Sequence, residues 1–278
     1  MDAVVAGSSV NGSGKALSKE EIATYRAELD ALKAEFNLKE PERSFMDDPD
    51  TKWRFGCPPD YTLANLAFLK GRSKEHPEGS LELIVENLVK TWEMERSHKL
   101  DHTEHRTVDQ ERFSLSANGG KKYNNKEANA AGNYNVLLET CPKEMWDSEE
   151  KTWEESHAVF HGTFDTFPWE VLEVFSGPPT VGFTWRHWAN FDGSYQGNAG
   201  EGQLVEMYGF GVATVNDKLQ LCDVDLYFDP KSFMEILRGE RDAGDVQGGT
   251  AVVGPLGGLK GGCPHLEMLR KNAAGHKK

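Results

Sequence analysis

Residues 183–239 constrain the fold of this chain more than any other stretch, because they read as three strands followed by a capped helix. FTWRHWANF at 183–191 carries an aromatic or β-branched residue at most positions, and Asp192-Gly193 after it supplies turn chemistry. QLVEMYGFGVATV at 203–215 ends at Asn216-Asp217, a short polar link into LQLCDVDLYFD at 219–229. That third run alternates. Cys222, Val224, Leu226 and Phe228 fall on one face and Asp223, Asp225, Tyr227 and Asp229 on the other, as the two-residue period of a strand demands. Asp229-Pro230 then opens a helix: the aspartate accepts an orphan N–H, proline suits the first helical position, and Phe233, Ile236 and Leu237 form the apolar stripe before Gly239.

Upstream, the pattern is helical. Ser18 and Glu21 form a capping box, and Ile22, Tyr25, Leu29, Leu32 and Phe36 make a narrow stripe on a charged helix, read as an appendage or partner-binding arm. Residues 40–79 form an irregular wrap with a short helix near 62–70. Ser80 caps the strongest helix, where Leu81, Ile84, Val85, Leu88, Val89 and Trp92 share a face; three residues further comes Glu95, then His98. A short strand at 113–118, a helix from Lys126 to Leu138, another from Glu154 and a strand at 169–177 lead into the three-strand segment. Residues 1–17 lack periodicity and are expected to be mobile. The Gly-rich run 248–262 reads as linker, since its glycines do not join a strand to a helix as a phosphate cradle requires, and Leu266 to Asn272 as a small helix.

Charge and composition narrow the function classes. With 45 acidic against 31 basic residues the net charge is −14, which disfavours nucleic acid and anionic membranes as partners. No run approaches the roughly 18 apolar residues that span a bilayer, and the first residues lack the order of a signal peptide, so a cytoplasmic protein is expected. Cysteines at 57, 141, 222 and 263 show no CxxC pairing, and free thiols are expected. Three precede proline (Cys57-Pro58, Cys141-Pro142, Cys263-Pro264), a dipeptide found where haem iron takes a thiolate, but nothing nearby supports a porphyrin pocket.

Helices followed by FPWEVLEVFSG, VGFTWRHWANFDGSYQG and GQLVEMYGFGVATVNDKLQLCDVDLYFDPKSFMEILRG resemble the NTF2-like superfamily, in its SnoaL-like branch. Through KWRFGCPPDY, VENLVKTWEMERSHK, EESHAVF and FTWRHWANFDG the chain is similar to the plant and microbial pathogen-related proteins. The resemblance spans residues 45–240. Residues 1–44 then form a tail plus accessory helix, and 241–278 a second tail. It implies an α+β cone: a curved antiparallel sheet around a small-molecule pocket closed by the N-terminal helices, often a homodimer through the outer sheet face. Apolar residues on both faces of 203–215 agree with such pairing. Cofactor-free isomerases, cyclases and hydrolases use this scaffold, and so do non-catalytic carriers.

Candidate catalytic residues are His187, Glu206, Asp225 and His98. His187 alternates with Trp185 on one strand face, with Arg186 and Trp188 on the other, and an imidazole among aromatic walls stays neutral and basic. Glu206 with Tyr208, and Asp225 with Tyr227, offer the carboxyl–phenol pair suited to proton abstraction beside a carbonyl or to epoxide opening. Trp92, Glu95, Trp185, Trp188, Tyr208 and Tyr227 are candidate ligand contacts. No organic cofactor is called for. A metal- or haem-dependent enzyme stands as an alternative drawing on Glu95, His98, His157, His161 and His187; His157 and His161 lie one helical turn apart, though with no HExxH pattern or adjacent third ligand. The pattern leads to the expectation that His187 and Glu206 or Asp225 share a cavity with Trp92.

Overall fold

The computed structural model describes residues 9–10 and 16–245, so the glycine run at 248–262 and the helix expected at 266–272 lie outside the described residues. Of the tail expected over 1–17, the described part forms a two-stranded pairing, β1 (Ser9–Val10) with β2 (Ala16–Leu17), and Leu17 is buried. The helices α1 (Lys19–Phe36), α2 (Thr62–Gly71) and α3 (Leu81–His98) come first. Ser18 and Glu21 close the capping box on α1, and Asn37 ends it in the left-handed region at φ 53°.

Next come β3 (Ser114–Ala117), β4 (Tyr123–Asn124), α4 (Asn125–Ala131), α5 (Asn133–Leu137) and α6 (Trp153–Thr163). The single helix expected over 126–138 is two, broken at Gly132, whose φ of 86° leaves the helical range. A side chain there would also collide with Trp153, 2.8 Å from the Cβ position. The C-terminal half holds β5 (Trp169–Val174), β6 (Thr180–Phe191), β7 (Ser194–Tyr195), β8 (Asn198–Ala199), β9 (Gln203–Val215), β10 (Leu221–Phe228) and α7 (Pro230–Leu237). Asp229 caps α7 through the Ser232 N–H.

The main sheet runs β4-β3-β10-β9-β6-β5. It is antiparallel except where β3 lies parallel to β10, a pairing the sequence pattern did not reveal. β6 and β9 pair along twelve positions, from Thr180↔Thr214 to Phe191↔Gln203. Gly209 and Gly211 let the rings of Trp185 and Phe183 lie across β9: a Cβ would sit 2.1 Å from the first ring and 2.5 Å from the second. Register shifts between Val171 and Glu173 in β5, and between Leu221 and Asp223 in β10, bend the sheet.

The result is an α+β fold, as expected, with the main core between the concave sheet face and the helices. A second core lies on the other face of β6. There Leu29 and Leu32 of α1 and Leu66 and Leu69 of α2 pack with Trp188. The helix read as an appendage is thus seated on the body: its narrow stripe was long enough to cover α2 and one tryptophan.

Candidate functional site

A cavity of about 240 Å³ opens between α3, the concave sheet face and α5–α6. α3 builds one wall because its apolar row continues as a polar one: Val85, Val89, Glu93 and Ser97 succeed one another at four-residue steps, and Arg96 follows Trp92 by the same step. Opposite, every second residue of β6 faces inward, which brings Val181, Phe183, Trp185 and His187 to the cavity.

Glu93 sits in a hydrogen-bonded cluster. The Tyr61 hydroxyl donates to its Oε2 at 3.2 Å and the Ser97 hydroxyl to Oε1 at 2.8 Å, while Asn133 donates to Ser97 Oγ at 2.9 Å. Burial pushes the Glu93 carboxyl above its ordinary value, opposed by the nearby Arg43 guanidinium. Arg43 lies 3.7 Å over the Tyr61 ring and donates to Asn65 Oδ1 at 2.8 Å. Burial also raises the Tyr61 phenol well above 10, so it remains a donor.

Two of the cavity histidines, His187 and His157, are held in defined tautomers. His187 Nδ1 is 3.0 Å from the Pro168 carbonyl, which only accepts, so Nδ1 carries the proton and Nε2 is the acceptor. Burial drives this ring down to about 3, and it stacks on Phe167 at 4.3 Å. His157 repeats the arrangement with the Trp153 carbonyl at 2.8 Å, also down to about 3 through burial. Both are neutral at pH 7. Two further cations line the wall: burial lowers Lys90 to about 8 and Arg96 to about 9, so both stay charged.

Of the candidates read from the sequence, His187, His98, Trp92 and Trp185 line this cavity. The expected company of Glu206 or Asp225 does not. In register, Met207 stands opposite His187 and Glu206 opposite Trp188, so Glu206 shares the outer face with Trp188. There Arg186, about 1% exposed, pairs with Glu170 at 2.8 Å and Glu206 at 3.1 Å and donates to the Gly71 carbonyl at 2.5 Å; the Tyr208 hydroxyl donates to Glu206 at 3.1 Å. Trp188 belongs to the second core. Asp225 also faces outward, accepting from Ser116 Oγ at 2.5 Å with Lys122 at 3.6 Å, and Tyr227 is exposed.

Glu95 is fully buried, yet away from the cavity. It pairs with Lys99 at 2.9 Å and accepts from the Arg106 N–H and from the Thr107 N–H and hydroxyl, tying α3 to the loop before β3. His157 and His161 reach the cavity with ring centroids 5.9 Å apart, but among the described residues no three His, Cys, Asp or Glu side chains gather to hold a metal. Burial raises the Cys141 thiol to about 11, opposite to what a thiolate ligand needs. Sequence reasoning missed Glu93, Tyr61, Arg43 and Arg96. Extending the α3 stripe by four residues from Val89 and Trp92, rather than by three to Glu95, finds two of them.

No family model matches the chain. A SnoaL-like polyketide cyclase, so assigned provisionally, from Jannaschia sp. CCS1 is 16% identical, covering 47% of this chain and 73% of its own at a TM-score of 0.29. An NTF2-like protein of unknown function from Exiguobacterium sp. 255-15 is 9% identical, covering 45% and 79% at a TM-score of 0.25. The sequence itself says more. A pathogen-related protein of Hordeum vulgare is 35% identical over 201 residues, 69% of this chain and 86% of that protein. On that likeness the chain belongs to the pathogen-related protein family.

Proposed function

We propose that this protein binds a small hydrophobic or aromatic metabolite inside the cone and carries out cofactor-free acid–base chemistry on it, of isomerase, cyclase or hydrolase type. The observation that carries this reading is one aromatic-walled cavity holding both a buried carboxyl with a phenol donor, Glu93 and Tyr61, and neutral imidazoles with fixed tautomers, His187 and His157. A carboxylate whose proton affinity is raised by burial accepts a proton from carbon next to a carbonyl and returns it to a neighbouring carbon, while the neutral imidazoles offer acceptor nitrogens to a hydroxyl of the ligand. The apolar remainder of the wall excludes water from both steps.

A non-catalytic carrier is the second reading. It is favoured by the hydroxyls of Tyr61 and Ser97, which already occupy both Glu93 oxygens. A thermal-shift screen of aromatic metabolites tests binding, since a ligand at 100 times its dissociation constant adds about 2.7 kcal/mol. Hits followed by NMR for conversion then separate the readings. An enzyme loses turnover at least about 100-fold in His187→Asn or Glu93→Gln while still binding, whereas a carrier converts nothing. A screen without a single stabilising compound overturns both. We further propose a cytoplasmic homodimer, supported by Phe175, Phe210 and Tyr227, which remain exposed, with the first two rings 6.2 Å apart.

A further inference from the structure

Three cations face the cavity, and they are not equally partnered. Arg43, whose Nε is also without a partner among the described residues, donates to Asn65, lies over the Tyr61 ring and has Glu93 in its neighbourhood; Lys90 donates to the Trp169 carbonyl at 2.7 Å and has Glu86 at 3.8 Å. Arg96 also has Glu93 in its neighbourhood, but among the described residues no carboxylate lies within ion-pair distance of it. It is 5% exposed, its Nη2 donates to the Ala128 carbonyl at 3.2 Å, and its Nε has no hydrogen-bond partner among the described residues. The contrast with Arg186, equally withdrawn from water but held between two carboxylates, is direct. A guanidinium removed from water with unused donors is costly unless a negative group meets it.

From this geometry we infer that Arg96 anchors an anionic group of the ligand, so that the compound taken into the cone is an aromatic acid of one or two rings. This rests on the small-molecule reading above and narrows it. A planar guanidinium presents parallel N–H donors that match a carboxylate or a phenolate–carbonyl pair, and the Trp92 ring, 5.1 Å from the Arg96 carbon, backs it. Size sets the rest. An apolar cavity of about 150 Å³ accommodates benzene, so about 240 Å³ suits one ring with an acidic arm or two fused rings. Outside, the chain carries a net charge of −14, so the cavity is a cationic interior within an anionic molecule.

The test compares 2-naphthoate with its neutral analogue 2-naphthamide by calorimetry on the full chain. Wild type is expected to prefer the carboxylate about tenfold or more, the size of a charge-assisted hydrogen bond. Arg96→Gln should erase that preference while leaving naphthamide affinity within about twofold, and Arg96→Lys should keep part of it. Should the variants fail to fold, the wild-type Arg96 Nε–H resonance gives the answer, since it should shift with naphthoate and stay in place with naphthamide. Equal affinity for both probes, or a preference that survives in Arg96→Gln, overturns the anion anchor and leaves the binding cavity standing. If neither probe binds, the cavity reading falls and the anchor falls with it.

Discussion

Glu170 and Asp225 are both acidic residues on the outer sheet face, yet their surroundings predict very different responses to substitution. Glu170 is fully buried against Arg186 and accepts from Ser73 and Lys74. Glu170→Ala leaves a guanidinium buried with reduced compensation, and should cost about 3–5 kcal/mol. Asp225 is only partly covered, so Asp225→Ala should cost less than about 1 kcal/mol. Urea midpoints for the two variants give the comparison, and equal losses would contradict it. His157 offers a pH test. Its value falls from 6.5 to about 3 in the folded state, so between these values the unfolded chain binds the extra proton, and the stability present above 6.5 is lost as pH falls toward 3. His187 and His105 act in the same direction, while Glu93, Glu170 and Glu206, raised by burial, act in the opposite one above their ordinary 4.5. His157→Asn keeps an N–H donor for the Trp153 carbonyl but cannot titrate. Its loss of stability between pH 6 and 4 should be shallower than wild type by up to about 1.4 kcal/mol per pH unit; parallel curves would count against the buried neutral ring.

At the level of elements, the regular pieces were legible where one physical rule acted alone. Strand alternation in 219–229, the aspartate-proline start of α7 and the serine caps of α1 and α3 each follow from local chemistry, and each stands where the pattern puts it. The site was legible only in part. Parity within a strand showed that Trp185 and His187 share a face, but which face of β9 joins them depends on register across the sheet, and register placed Met207 opposite His187, with Glu206 on the other side. Glu93 and Arg96 escaped notice because charged residues at the end of an amphipathic helix usually face water, and only the cone's closure turns them inward. α1 makes the same point about stripes. Its Leu29 has no exposed surface, so Leu29→Ala should lower stability by about 2–4 kcal/mol in chemical denaturation, where a free appendage would lose almost nothing.

For the molecule as a whole, charge and exposed aromatic surface pull in opposite directions. A net charge of −14 repels a second copy at long range, while Phe175, Phe210 and Tyr227 offer apolar area that water covers poorly. The proposed dimer should therefore strengthen with added salt: light scattering at tens of micromolar should show a larger dimer fraction at 0.5 M than at 0.05 M sodium chloride, and a monomer at both overturns it. The parallel pairing of β3 with β10 carries a consequence of another kind. Ser116 meets its partner Asp225 across 109 residues of chain, so β3 waits for β10, an interior strand of the sheet, until β5, β6 and β9 have been made. Closing so long a loop is slow. Until β10 emerges from the ribosome, the apolar row of α3 has only half a floor to rest on, and the nascent chain presents an unfinished hydrophobic bowl.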